Sequence, residues 1–560
     1  MYIRILSLLL ATILIFSGLI AFERMSAFTP SAPIDRTDRS AYWLNVVLIP
    51  LDSRPPCTQF VQDLGRLAGV NIILPEQELL DQYKVPGNTH ALRNWLKAQS
   101  QKADAAIISV DMLIHGGLLA SRLSQGSLED VQTVLNLLST IHQDNPQIRL
   151  YAFTIIPRLL IADNQNTAAY QKSMGEYSLL KDKIYTFENP FDIKKMRDFE
   201  QTLPPELVER YFRLYEENTK LNEALMAMVE EGILSGLVIG QDDGQLFGIP
   251  NIKKQYLEEY ANQHPVNKQK TIITRGTDEV ALTLLGRLIC DFTSFHPKIF
   301  VAYSDQEAPH VIMPYMPHSV SKTVEEKVRL VGGIQVYKPE NADFILFVHV
   351  GTAELNDVRL SNEVYRLNQW LSTGYKVALV DLTENFKVKE ALLPLLLKEN
   401  IPITQLVAYA GWNTTSNSIG TAITQAYLFT SSLKSAHEYP ALLSLYQENV
   451  EFLIARMLDD LYYQKEIYPQ LNKQLRQVKI NPYEIGDYYS HISKKINRLL
   501  EDKASRLAMQ GLYTRPFVIK TKEKDHKILI SRLKIESTLP WQRTFEIRLK
   551  TAVSLLEVSD

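Results

Sequence analysis

Cysteine is scarce in this 560-residue chain: Cys57 and Cys290 are its only two. They stand far apart, so no disulfide framework holds the fold, although one bridge between them stays open. Neither has a redox or zinc spacing, and Cys57 beside Pro56 reads as a small buried residue. Charge of one sign is lacking too. With 60 Lys and Arg against 63 Asp and Glu the net charge is -3, so no field for a polyanion exists and nucleic acid is not an expected partner. Low-complexity tracts and internal repeats are missing. So are a Gly-x-Ser-x-Gly elbow, a phosphate-binding Walker loop, a dinucleotide fingerprint and a His-Glu-x-x-His pair, which removes the commonest serine hydrolase, nucleotide and zinc protease classes. What remains is an ordinary globular composition, 46% hydrophobic and 22% charged.

One long apolar run is present. Arg4 precedes residues 5–22, uncharged and rich in Leu and Ile, which read as a secretory signal or a single N-terminal membrane anchor. Leu19 and Ile20 before Ala21 make a poor small-x-small cleavage site, which favours the anchor slightly, and no nearby Cys offers a lipid attachment point. Either way the bulk of the chain is expected outside the cytoplasmic membrane, with the membrane touched through this segment only. Residues 27–41, with Pro30 and Pro33, read as a linker.

From residue 45 onward, short apolar runs alternate with helix-length segments. Runs at 46–51, 70–74, 105–110, 150–156, 237–239 and 271–274 predict buried strands. Helical segments separate them, including a long charged stretch over 165–232, and crossovers of that length predict parallel pairing. A second series, at 299–303, 344–350, 377–380 and 406–409, repeats the plan. Residues 308–319, with three Pro and two His, read as a hinge or lid between the two series. Residues 433–512 read as helical, and 516–520, 527–530 and 545–549 alternate as antiparallel strands do. The expectation is an α/β fold of repeated βα units with a mainly parallel sheet, barrel-like or open and Rossmann-like. It comprises an anchor and linker (1–41), a first α/β domain carrying the site (42–300), a second (301–432), and a helical segment with a small C-terminal antiparallel region (433–560).

The strand ends carry the chemistry. Asp52 and Arg54, Asp111 and His115, Arg158, Asp242 and Asp243, and Arg275 and Asp278 each follow an apolar run. The carboxyl ends of parallel strands are where ligands bind, because the loops there converge. Asp242-Asp243-Gly244 also satisfies plain turn chemistry, and strand ends are polar in general. Five of the first six strands end in ionisable residues, which favours a site over that reading.

Six ordered motifs carry a family resemblance. They are Ile49-Pro50-Leu51-Asp52-Ser53-Arg54-Pro55; Asp111-Met112-Leu113 with Gly116-Gly117-Leu118 and Ser121-Arg122; Gln241-Asp242-Asp243; Arg275-Gly276-Thr277-Asp278-Glu279; Gly411-Trp412-Asn413-Thr414; and Leu539-Pro540-Trp541-Gln542-Arg543-Thr544-Phe545-Glu546. Together they resemble the bacterial domain-of-unknown-function family numbered 4127, over nearly everything after the linker. The resemblance implies which residues matter and no particular reaction.

The residues fit a carbohydrate-active hydrolase acting on cell-wall or surface glycan. Such chemistry needs one protonated and one ionised carboxyl group, here Asp242 and Asp243 with Asp111 as a third candidate. Adjacent acids at one strand end are similar to the arrangement in substrate-assisted hexosaminidases. Asp52, Arg54, His115, Arg158, Arg275, Asp278, Trp412 and Asn413 are the candidate substrate contacts, with Trp412 offering a flat apolar face. Structural alternatives stand beside these: a core role for Trp412, helix capping for Asn413 and Asn417, and a hydrogen-bonded structural role for His115. No cofactor is required. A divalent ion on Asp52, Asp111, His115, Asp242 and Asp243 is the second reading, and a non-catalytic glycan or small-ligand binder, with two lobes closing on the ligand, is the third.

Overall fold

The computed structural model describes residues 42–558 except 124–125, 162–166 and 353–356. The apolar run 5–22 and the linker 27–41 therefore lie outside the described residues. Among those described, no helix is long and apolar enough to cross a membrane.

The first sheet holds β1 (Leu44–Ile49), β2 (Val70–Ile73), β3 (Ala105–Ser109), β4 (Arg149–Ile156), β5 (Gly236–Gln241) and β6 (Thr271–Arg275), in the order β2-β1-β3-β4-β5-β6. Every pairing is parallel. Strands β3 and β5 are buried at every position, as happens when helices cover both faces of a sheet, and this is why their sequences read as unbroken apolar runs. The second sheet holds β7 (Lys298–Tyr303), β8 (Ile334–Val336), β9 (Phe344–Gly351), β10 (Val377–Thr383) and β11 (Ala408–Ala410), in the order β11-β10-β9-β7-β8, again all parallel. Both sheets follow one plan: the first strand is flanked by the second on one side and the third on the other. The repeat lies in topology, which is why no repeat shows in the residues. Both sheets are open, so of the two expected forms the Rossmann-like one holds.

One apolar core joins the sheets, drawing Val46, Ile107 and Val238 from the first and Leu346 and Val380 from the second. Helix Thr415–Ser435 runs through it, packed on β10, β11 and helices Val280–Thr293 and Val320–Leu330. Residues Thr415 to Thr430 of that helix are buried without a break, as an element surrounded on all sides must be. The charged stretch 165–232 resolves into helices Gln171–Phe187, Pro190–Thr202 and Pro205–Glu230. At the C-terminus β12 (Phe517–Lys520), β13 (Asp525–Thr538) and β14 (Arg548–Glu557) form an antiparallel sheet. The loop between β13 and β14 carries Trp541, Arg543 and Phe545 back to the carboxyl ends of the first sheet.

Candidate active site

In the first sheet the chain builds outward from β1 in one direction through β2 and in the other through β3. A doubly wound sheet opens a crevice at such a point, outside the carboxyl ends of its strands. Beside it lies a cavity of about 280 Å³. Its wall takes Asp52 and Arg54 from the end of β1, Arg158 from β4, Gln241, Asp242 and Asp243 from β5, and Arg275 to Asp278 from β6. Leu118, Leu119 and Arg122 come from the short helices after β3, Tyr315 to Pro317 from the segment after β7, and Asn413, Thr414 and Asn417 from the turn after β11. Trp541, Arg543 and Phe545 close the remaining side. A larger recess of about 720 Å³, with Leu397, Tyr462 and Arg515 in its wall, has no carboxylate there and lies away from these strand ends.

The cavity's charges are built in pairs. Arg54 donates from Nε (2.9 Å) and Nη2 (2.6 Å) to Asp52 Oδ2, and the same Nη2 reaches Asp278 Oδ1 at 2.6 Å. Asn417 Nδ2 donates to the other oxygen of Asp278 at 3.2 Å. Arg275 pairs with Glu326 at 2.5 Å and Arg543 with Glu546 at 2.8 Å, both acids standing outside the cavity wall. Arg158 donates to the carbonyl oxygen of Leu160 at 3.1 Å.

The two adjacent acids have different surroundings. Asp242 is buried. Its Oδ2 accepts from Arg122 Nε at 2.8 Å and Nη2 at 2.6 Å, and its Oδ1 accepts from the Asp243 backbone N at 2.8 Å. Asp243 instead exposes its side chain. Protein crowded around it displaces much of the water an ion would need, and the charge of Asp242 adds repulsion. These push its pKa up to about 7, against the opposing pull of Arg122 and Arg158. One carboxyl is thus fixed by an ion pair, and its neighbour holds a proton near neutral pH at a cavity wall. That division suits general acid chemistry.

A family model described as "Protein of unknown function (DUF4127)" matches residues 46–550. The chain belongs to this family. No curated protein matches it. The family is one of unknown function, so in this DUF4127 member the chemistry must be read from the site.

Of the residues singled out from the sequence, Asp52, Arg54, Arg158, Asp242, Asp243, Arg275, Asp278 and Asn413 meet in the cavity wall. Asp111, His115 and Trp412 lie outside it. Asp111 sits in the short helix Val110–His115, which starts directly after β3 under a Ser109 cap, and its Oδ2 accepts from the Ile155 backbone N of β4 at 3.0 Å. Burial pushes its pKa up to about 7. His115 accepts from the Gly126 N at 2.9 Å through Nδ1, and burial lowers its pKa to about 4, which keeps the ring neutral. Trp412 is buried with its ring 6.5 Å from that of Phe545. Asn413 does enter the cavity wall, while the cap of helix Thr415–Ser435 is Thr414, whose side chain accepts from Asn417 N.

Arg122, Tyr315, Asn417, Trp541 and Arg543 also line the cavity without having been assigned there from the sequence. Arg122, Trp541 and Arg543 stood inside the family motifs, which was the available signal. Behind Asp52, the indole N–H of Trp541 donates to Ser53 Oγ (2.8 Å), and Ser53 donates through Oγ and N to Asp81 (2.6 and 2.7 Å), so the C-terminal loop is tied to the end of β1. The turn carrying Asn413 is clamped from below. Gly411 N donates to Asp460 Oδ2 (2.8 Å) and Gly411 O accepts from Lys465 Nζ (2.5 Å), both from the buried π-helical segment Met457–Ile467.

Asp52, Cys57 and Asp278 offer one ligand atom each within 4.8 Å of one another, a candidate metal cluster among the described residues. Its chemistry fits a metal poorly. Arg54 Nη2 already lies 2.6 Å from both carboxylates. Burial and these two acids also push the Cys57 thiol up, away from the thiolate a metal requires. Of the five ligands expected for a divalent ion, Asp111 and His115 are held elsewhere and Asp242 is paired with Arg122.

Proposed function

We propose that the protein is a carbohydrate-active hydrolase, with Asp243 as general acid and Asp242 as the fixed charge beside it. It would act outside the cytoplasmic membrane, where the apolar run at residues 5–22 would deliver or tether it. The observation that carries the reading is the pair itself: an exposed carboxyl on the cavity wall, its pKa raised, next to one locked by Arg122. Both oxygens of Asp242 already accept hydrogen bonds, so it is poorly placed to attack a sugar carbon. Substrate assistance suits this geometry better. The Asp243 proton passes to the glycosidic oxygen as the bond to the anomeric carbon breaks, and the leaving sugar departs as an alcohol. The acetamido oxygen of the substrate bonds to that carbon, with the Asp242 charge orienting the acetamido N–H. Water then opens the ring so formed, and its proton returns to Asp243.

The test is turnover of N-acetylglucosamine oligomers and peptidoglycan glycan strands by the full chain, with products identified by mass. Asp243→Asn should abolish turnover and retain binding, and the parent's rate should fall as pH rises through about 7, where Asp243 loses its proton. Turnover that survives in Asp243→Asn removes Asp243 from this role. Absence of any cleavage or binding removes the carbohydrate reading.

A further inference from the structure

Two of the eight described non-glycine residues with positive φ, Tyr315 and Asn413, stand in the cavity wall. Among the described residues, four non-glycines with positive φ terminate helices, where a left-handed residue is the usual stop: Glu188, Ser294, Asn400 and Lys479. Tyr83 (φ 58°) sits in the two-residue turn closed by Gln82 and Val85, where positive φ is ordinary. The other three have no helix C-terminus to explain them: Tyr315 (φ 65°) and Asn413 (φ 56°) are cavity-wall residues, and Phe386 (φ 55°) has its ring centroid 6.4 Å from that of Tyr315, tilted by 40°. Strain of this kind persists where surrounding structure enforces it, and it gathers at ligand clamps. Here the enforcing contact is visible: Tyr315 O accepts from Gly244 N at 3.2 Å, which ties Tyr315 to the turn carrying Asp242 and Asp243.

The aromatic faces around the cavity are not equivalent. Trp541 is covered by Arg54 and Arg543, whose guanidinium carbons lie 5.5 and 4.6 Å from its ring centre, and Phe545 by Arg543 at 5.3 Å. Trp412 is buried outside the wall. Tyr315 and Phe386 are the exposed pair, at 56% and 36%. Asn413 is shared with a neighbouring recess of about 10 Å³, whose wall includes Met313, Pro314, Leu382 and Phe386. The cavity itself, at about 280 Å³, sits at the lower limit of small-molecule pockets, which run from roughly 300 to 1,000 Å³. It suits the end of a glycan better than its middle.

Resting on the carbohydrate reading, we propose that Tyr315 and Phe386 form a stacking platform at the cavity mouth for the sugar next to the one held inside, so the substrate class is the end of an oligosaccharide chain. A pyranose with equatorial substituents presents a face of axial C–H groups, and an aromatic ring offers the matching apolar plane. The left-handed backbone at both residues fixes where the rings stand, and the bond from Gly244 keeps Tyr315 in register with Asp243.

The test measures binding of N-acetylglucosamine and its hexamer, and of peptidoglycan glycan strands, to the full chain carrying Asp243→Asn. The hexamer should bind more tightly than the single sugar. Adding Tyr315→Ala or Phe386→Ala should weaken the hexamer roughly tenfold, in keeping with the loss of one aromatic contact, and leave the single sugar unchanged. Tyr315→Phe should bind as the parent does. Tyr315→Gly, which keeps the left-handed backbone and lacks the ring, should behave like Tyr315→Ala, and thermal unfolding verifies that each variant folds. Hexamer binding that is unchanged in Tyr315→Gly and Phe386→Ala overturns the platform alone. If none of these glycans binds the Asp243→Asn chain, the carbohydrate reading falls and the platform with it.

Discussion

Arg122 directs Nε and Nη2 at a single oxygen of Asp242, at 2.8 and 2.6 Å, and thereby assigns different work to two acids that are neighbours in sequence. Asp242 is 5% exposed, and that guanidinium is the cation it pairs with. Arg122→Ala leaves a buried carboxylate unpaired, a change that costs about 3–5 kcal/mol in well-buried pairs. The lower end is expected because the Arg122 side chain is itself 12% exposed. Arg122→Lys should recover only part of this, since a point charge cannot present two donors in one plane. Arg122 also helps hold the Asp243 pKa down, so its removal should move the alkaline fall in turnover above pH 7. Denaturant unfolding and a pH–rate profile read the two effects separately. An unmoved profile would mean that Arg122 does not influence the Asp243 proton.

Asp111 predicts a pH dependence of stability with a definite sign. Burial raises its pKa to about 7 in the folded protein, against about 4 for an unfolded Asp. Between those values the folded state binds the extra proton, so stability falls as pH rises across that window and is fully present below it. Asp111→Asn removes the titration and keeps an oxygen to accept from Ile155 N. The variant should therefore show a flatter stability profile between pH 4 and 7. Above pH 8 it should exceed the parent by a few kcal/mol, since the parent loses ~1.4 kcal/mol for every pH step of one across that window. Urea unfolding at matched pH values measures this, and a parent that gained on the variant across the window would contradict the assignment.

The strands were legible because burial on both faces forces unbroken apolar runs, and the cavity acids were legible because they follow those runs directly. Strand β8 was not: its three residues are largely exposed and leave no pattern to read. Arg122 escaped assignment because two short helices separate it from the end of β3. Trp541 and Arg543 reach the cavity from a loop near the far end of the chain, a closure that no local signal encodes. Asp111 and His115 show the opposite failure. They follow a strand in sequence, but the chain turns at once into a helix and aims Asp111 at the backbone of β4. Asn413 and Trp412 are adjacent, yet one lines the cavity and the other packs on Phe545. Periodicity could not decide between an open sheet and a barrel because strand order is set by tertiary pairing.

Arg54 decides whether the Asp52, Cys57 and Asp278 cluster can take a metal. Two buried acids share this one guanidinium, which keeps its proton firmly: burial alone would weaken it, but Asp278 and Asp52 raise its pKa well above the ordinary value. A divalent cation would have to expel a guanidinium that makes three hydrogen bonds to the two carboxylates, and would gain only those acids and a protonated thiol as ligands. The parent chain should therefore show the same Tm with a chelator, with zinc or with manganese, whereas a site filled to a hundredfold over its Kd would add about 2.7 kcal/mol. Arg54→Met removes the cation and leaves the acids facing each other, at a cost on the order of 3–5 kcal/mol. In that variant a divalent ion can enter between Asp52 and Asp278, so manganese should recover part of the lost stability there and none in the parent. A metal-dependent Tm in the parent would show that the guanidinium yields its place, and would reopen the cluster as a metal centre.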